Sequence, residues 1–172
     1  MDLSKTNQQR INGLVFIFYL VLKLKNYNFL KKRIKKNEGY RESPYLDKLG
    51  FATIGYGHLI KNNEKNIYNK KCNTGLLNKL FNLDFNKALN QYNTKYKNQN
   101  YSKNIEEVLI EMIFQLGIKR QKKFIKMNNY IKKKELYMAC FEMKNSLWYQ
   151  QTPKRVDGLI NTLLKDIDEK KR

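Results

Sequence analysis

The pattern of apolar and polar positions divides the chain into a short mixed segment and a long helical one. Between positions 28 and 37, Phe29, Leu30, Arg33 and Ile34 form a narrow stripe at helical spacing, and Gly39 sits where a left-handed residue would end that helix. Ser43-Pro44 and the run from Lys48 to Gly50 carry turn chemistry, and FATIGYG alternates like a short strand, so positions 41–60 predict a small antiparallel sheet. A loop rich in Lys and Asn follows, from Lys61 to Asn73.

From Thr74 the period changes to that of helices. Leu76, Leu77, Leu80, Leu83, Ala88 and Leu89 predict a helix able to link two lobes. Ile105, Val108, Leu109, Met112, Ile113 and Leu116 predict another, with Asn104 as its cap, Glu107 three residues on, and Gly117 at its end. The last helix begins at the cap Thr152 and Pro153 and continues through Val156, Leu159, Ile160, Leu163, Leu164 and Ile167. The fold class predicted is α+β and mostly α, with a small antiparallel sheet in the N-terminal lobe and a helical C-terminal lobe.

The first 27 residues differ from the rest. The stretch INGLVFIFYLVLKL, positions 11–24, is apolar but shorter than the ~20 residues needed to cross a bilayer, and no small-x-small cleavage site follows it. A signal-anchor, a membrane-dipping helix and an ordinary buried helix all remain open readings, so membrane contact through 11–24 is one expectation. The domain reading is an extension over 1–27 and one domain over 28–172, divided into a sheet-bearing lobe (28–75) and a linking helix with a helical lobe (76–172).

Composition narrows the classes. Hydrophobic residues at 41% exclude a disordered chain despite 29% charged residues. The formal net charge of +20 favours a polyanionic partner: nucleic acid, an anionic membrane or anionic cell-envelope polymers. Heavy use of Lys, Asn, Ile and Tyr is equally what an AT-rich gene produces, so the charge by itself assigns no function. No reading motif for specific nucleic acid accompanies it. With His58 the only histidine, and Cys72 and Cys140 isolated, neither a metal site nor a disulfide scaffold is predicted. A Cys/His nucleophile built on His58 is left open.

The candidate chemistry lies in NEGYRESPYLDKLGFATIGYGHLI, positions 37–60, which holds Glu38, Asp47 and Thr53. Two carboxylates and a hydroxyl on a turn-rich stretch suit glycoside hydrolysis, where one acid protonates the leaving oxygen and a second carboxylate activates water or attacks the sugar. Glu38 at a helix C-terminus faces partial negative charge, which favours its protonated form; Lys35, Lys36 and Arg41 oppose this, and burial has to decide. Asp47 beside a turn has water and backbone donors to keep it ionised.

Glu38-Gly39, Asp47, Thr53-Ile54-Gly55, Gly57-His58-Leu59, Lys79-Leu80-Phe81-Asn82 with Asp84, Phe114-Gln115 with Gly117, and Trp148-Tyr149 with Gln151-Thr152-Pro153 and Arg155 follow one another in an order that resembles the T-even bacteriophage lysozymes (endolysins). The resemblance covers the chain from about Asn28 onward. It implies a two-lobe fold whose cleft receives peptidoglycan, hydrolysis of the bond between N-acetylmuramic acid and N-acetylglucosamine, an inverting course with carboxyl groups about 6.5–9.5 Å apart, and no cofactor. It further implies Glu38, Asp47 and Thr53 as catalytic residues, Leu59 and Phe114 as substrate contacts, Arg155 positioning Glu38, and a His58–Asp84 pair linking sheet and helix. Trp148 reads as core. A monomer is expected, acting in cell-wall degradation and host lysis from the host cytoplasm, or as an anchored or exported form through 11–24. Met127 and Glu142 stand where the family carries small polar substrate contacts. The alternative is a lysozyme-like wall-binding or structural module that does not cleave.

Overall fold

A computed structural model describes residues 26–47, 50–68 and 70–168, so the expectations for positions 11–24 lie outside the described residues. Helix α1 spans Asn28–Glu38 and ends at Gly39, whose φ of 76° is one that residues with a Cβ avoid. Only Leu30 and Ile34 of its predicted stripe are buried. Phe29 is 82% exposed, a correction to the apolar stripe that included it.

Strands β1 (Arg41–Leu46), β2 (Ala52–Gly55) and β3 (His58–Leu59) form an antiparallel sheet in that order. Ser43-Pro44 is part of β1 rather than a separate turn. Its effect is a register irregularity between Arg41 and Tyr45, because proline has no N–H to give the ladder. The loop expected from Lys61 onward contains a 3-10 helix, Asn62–Ile67.

Helix α2 spans Thr74–Tyr96, capped by the Asn73 side chain, which accepts from Leu76 N–H. It contributes to two buried clusters. Leu77 and Leu80 pack with Ala52, Ile54, Ile60 and Ile67 beneath the sheet, while Phe81, Phe85 and Ala88 join the larger helical core. Leu83, predicted to be apolar core, is 60% exposed.

Helix α3 (Lys103–Gln121) is buried on all sides over Ile105–Ile113, including Glu106, Glu107 and Glu111. Its cap is Ser102, which accepts from Ile105 N–H at 3.2 Å, and not Asn104, whose amide instead donates to Asp166. Gly117 breaks the helical geometry with φ 73° and ψ 154°, but a further turn follows it. Helices α4 (Ile125–Lys132), α5 (Leu136–Lys144), α6 (Leu147–Gln151) and α7 (Pro153–Asp168) complete the layer around α3. Thr152 precedes α7 as expected, yet its hydroxyl donates back to the Trp148 carbonyl. Trp148 is core, with its indole N–H bonded to Gln115 at 3.0 Å. Among the described residues no helix is long and apolar enough to cross a membrane.

Candidate active site

The end of α1 delivers Glu38 to the junction between the sheet and the helical layer. Its carboxylate receives Arg155 Nη1 from α7 at 2.9 Å, and the arginine side chain is only 9% exposed. Burial pushes the Glu38 acid above its ordinary value, Arg155 opposes that through charge and hydrogen bonding, and Glu111 reinforces it. Burial wins. The opposing charge comes from α7, far along the chain, rather than from the neighbouring lysines.

Glu111 is held in place by Arg33 Nε at 2.7 Å and by the Asn37 amide at 2.8 Å. Glu107 lies 3.5 Å from the same guanidinium. Three buried glutamates on α3 thus find partners on or beside α1, since Tyr27 hydroxyl donates to Glu106. A buried carboxylate without such donors would be costly. The sequence places Arg33 in the apolar stripe; the structure gives it this charge-pairing task.

Gly57 brings the β2–β3 turn against Glu38. Its φ is +83°, and a Cβ there would stand 3.6 Å from Glu38 Oε2. Lys35 secures the same turn, with its ammonium 4.8 Å from the Tyr56 ring and 4.7 Å from that of Phe81, while donating to Asn78 at 2.6 Å. A Gly57→Ala variant is expected to lose about 1–2 kcal/mol from left-handed strain while keeping its activity, since a Cβ 3.6 Å from Glu38 Oε2 is in ordinary contact. Chemical denaturation alongside a wall-clearing assay checks both; an unchanged midpoint would refute the strain.

The hairpin carries the other two residues. Asp47 closes it, donating its N–H to the Phe51 carbonyl at 2.9 Å while its Oδ1 accepts from Phe51 N–H at 2.9 Å. Thr53 lies on β2, opposite Tyr45 on one side and Leu59 on the other. Directly paired residues share a sheet face, so these three form one row. Ile54 and His58 form the opposite row, turned toward α2. Thr53 is 4% exposed and its hydroxyl donates to the Phe51 carbonyl at 3.1 Å, which leaves oxygen lone pairs to accept.

Leu59, 49% exposed, borders a cleft with Gly57, Asp84 and, from the helical side, Ile113, Phe114 and Gly117. The helix break at Gly117 therefore opens directly onto this cleft. Phe114 is anchored by the Phe81 ring at 5.6 Å. Met127 is buried in the core, and Glu142 borders a separate depression with Lys123 and Lys126.

A family model described as phage lysozyme matches residues 35–163. The chain belongs to the phage lysozyme family. It is a glycosidase of the lysozyme class, and peptidoglycan is the substrate of that family. It is 33% identical to "Probable T4-type lysozyme 2" of Dictyostelium discoideum, in an alignment covering 77% of this chain and 91% of that one. It is 27% identical to "Probable T4-type lysozyme 1" of the same organism, over 78% of this chain and 92% of the relative.

In this lysozyme-family chain His58 joins three elements. Its Nδ1 lies 2.7 Å from Asp84 of α2 and its Nε2 3.1 Å from Glu64 of the 3-10 helix. The Asp84 hydrogen bond raises the imidazole above its ordinary value, against burial, with Glu64 adding to the rise. Glu64, which sequence reading missed, also accepts from Lys61 N–H at 3.0 Å. The Cys/His nucleophile is thereby overturned. Both ring nitrogens of His58 face carboxylates, and burial pushes the Cys140 thiol up to about 11, away from the reactive thiolate.

Proposed function

We propose that this enzyme cleaves the β-1,4 bond between N-acetylmuramic acid and N-acetylglucosamine with inversion, using Glu38 as general acid. The observation that carries the reading is the buried Glu38 carboxyl, its acid raised above the ordinary value by desolvation and aimed by Arg155 at 2.9 Å beside the turn that borders the cleft. Glu38 gives its proton to the leaving glycosidic oxygen. A water molecule accepted by the Thr53 hydroxyl oxygen attacks the anomeric carbon from the opposite face, and its proton passes to Asp47. Leu59 and Phe114 supply apolar contact to the sugar rings.

Release of new reducing ends from purified peptidoglycan, followed by NMR of the first product, tests this. The α-anomer is expected initially. An initial β-anomer would replace inversion by retention, and no reducing ends at all would refute hydrolysis.

Replacing Arg155 with Met removes the group that lowers the Glu38 acid, so Glu38 should hold its proton to higher pH. The alkaline limb of the kcat/KM profile then moves upward, while kcat falls roughly tenfold as orientation is lost. A limb that stays in place or moves down would exclude the pairing from catalysis.

The further reading is of a lytic enzyme that works on the wall after leaving the host cytoplasm. Cells expressing the full chain should lyse only once their membrane is made permeable. Fractionation of the same cells tests the anchor reading of 11–24, which predicts recovery with membranes.

A further inference from the structure

The cleft does not end at Gly117. Lys87 and Gln91 of α2 border both the cleft and a second depression, and Lys95 and Lys122 border both that depression and a third, which ends at Lys132. Lys87, Gln91 and Lys95 recur every four residues, so they lie along one face of α2 and span about 12 Å at the helical rise.

The two depressions beyond the cleft are lined by no carboxylate. Elsewhere the acids are largely consumed in pairs, as in Glu42–Lys71, Asp157–Lys144, Glu38–Arg155 and the Arg33 cluster. None of Lys87, Lys95, Lys122 or Lys132 makes an ion pair among the described residues. Amide side chains lie between the ammonium groups, including Asn90, Asn128 and Asn129.

The far end has a fixed wall. Tyr96 hydroxyl donates to Gln121 at 2.9 Å, the Gln121 amide donates to Asn128 Oδ1 at 2.8 Å, and Asn128 Nδ2 returns a bond to the Gln121 carbonyl at 3.2 Å. Tyr96 is buried and Tyr101, the other ring on this lining, is half-buried with its centroid 5.8 Å from that of Tyr96, so there is no succession of free rings on which bases could stack. A row of ammonium groups with interspersed amides and no succession of free rings suits phosphodiesters linked through flexible alcohols better than single-stranded nucleic acid.

We propose that this track, continuous with the cleft bordered by Leu59 and Phe114, binds a phosphodiester-linked polymer attached to the glycan strand being cut. The proposal rests on the hydrolase reading above, because on the wall it is the glycan held in the cleft that presents the polymer to the track. Its effect is to raise the affinity for wall that carries the polymer, without taking part in bond cleavage.

The test uses the full chain on two preparations of one bacterial wall, one bearing poly(glycerol phosphate) and one stripped of it by hydrofluoric acid. A Lys95→Glu/Lys122→Glu variant is compared with a control of equal net charge, Lys70→Glu/Lys165→Glu, both checked for an unchanged melting temperature. Wild type and control are expected to bind polymer-bearing wall roughly tenfold more tightly than stripped wall, with the track variant losing that difference through lost phosphate contacts. All three should hydrolyse stripped wall at equal rates, and soluble poly(glycerol phosphate) should compete only for wild type and control.

Equal loss in the control reduces the effect to net charge and overturns the proposal. So does equal binding of wild type to both walls, or displacement of the polymer by duplex DNA at the same phosphate concentration. Failure of the wild type to cleave stripped wall sinks the hydrolase reading instead, and polymer binding by the track is still read directly in the competition arm.

Discussion

Glu38→Gln is expected to reduce wall hydrolysis by about 10²–10⁴-fold while leaving the fold intact, since that is the range a positioned general acid contributes. Glutamine keeps the shape and can still accept from Arg155, which approaches Oε1 at 2.9 Å, so orientation survives and only the proton is lost. The stability consequence has a definite sign. Because burial raises the Glu38 acid, the folded state binds its proton more tightly than the unfolded chain does. Wild-type stability therefore falls as pH rises from the unfolded value, 4.5, through the higher folded one, a loss that glutamine does not suffer. Clearing of a wall suspension and urea melts of both proteins between pH 4 and 8 check the two statements. Activity retained within a few-fold would assign the proton to another group.

The second large effect is on stability. His58→Asn is expected to cost about 2–4 kcal/mol, because it leaves Asp84 and Glu64 facing each other without the cation that joins them across β3, the 3-10 helix and α2. The cost is placed below that of a fully buried pair because both acids keep some contact with water.

Its pH dependence follows from two shifts of opposite direction. The raised His58 contributes fully below its unfolded value of 6.5 and loses that contribution as pH rises through its folded value. Glu64 is favoured in its neutral form by burial, but the Lys61 N–H and His58 outweigh this and lower it. Its contribution is present above its unfolded value of 4.5 and is lost as pH falls through the folded one. The gap between wild type and variant should be widest between about 4.5 and 6.5. Unfolding free energies across pH 3–9 measure it, and a gap that does not vary with pH would show His58 acting by packing alone.

The helices were legible because their information is periodic and local. Leu109 and Met112 declare the α3 core by spacing, and Pro153 declares the start of α7. Errors arose where two segments compete for one side chain. Asn104 has the chemistry of a cap, but Asp166 from α7 takes its amide and Ser102 does the capping. Phe29 has the spacing of a core residue but is 82% exposed, with no element among the described residues covering it. Glu64 lay in a loop whose sequence shows only Lys and Asn enrichment, and nothing there announces an imidazole partner.

For the candidate site the division is similar. The identities and order of Glu38, Asp47, Thr53, His58 and Arg155 carry the family resemblance, because each residue type is tied to one chemical task and substitutions among them do not conserve it. The row formed by Tyr45, Thr53 and Leu59 also follows from strand alternation once the pairing is known.

What the sequence by itself determined is four of the helices (α1, α2, α3 and α7), the small sheet and the chemical inventory of the site, since periodicity, caps and side-chain type are properties of neighbouring residues. Only the tertiary structure decided the upward shift of the Glu38 acid, the pairing of Arg33 with buried carboxylates and the merging of the cleft with a lysine-lined track. Those depend on how deeply a group is buried and which charge stands against it, and both are set by segments as far apart as α1 and α7, whose meeting no local pattern encodes.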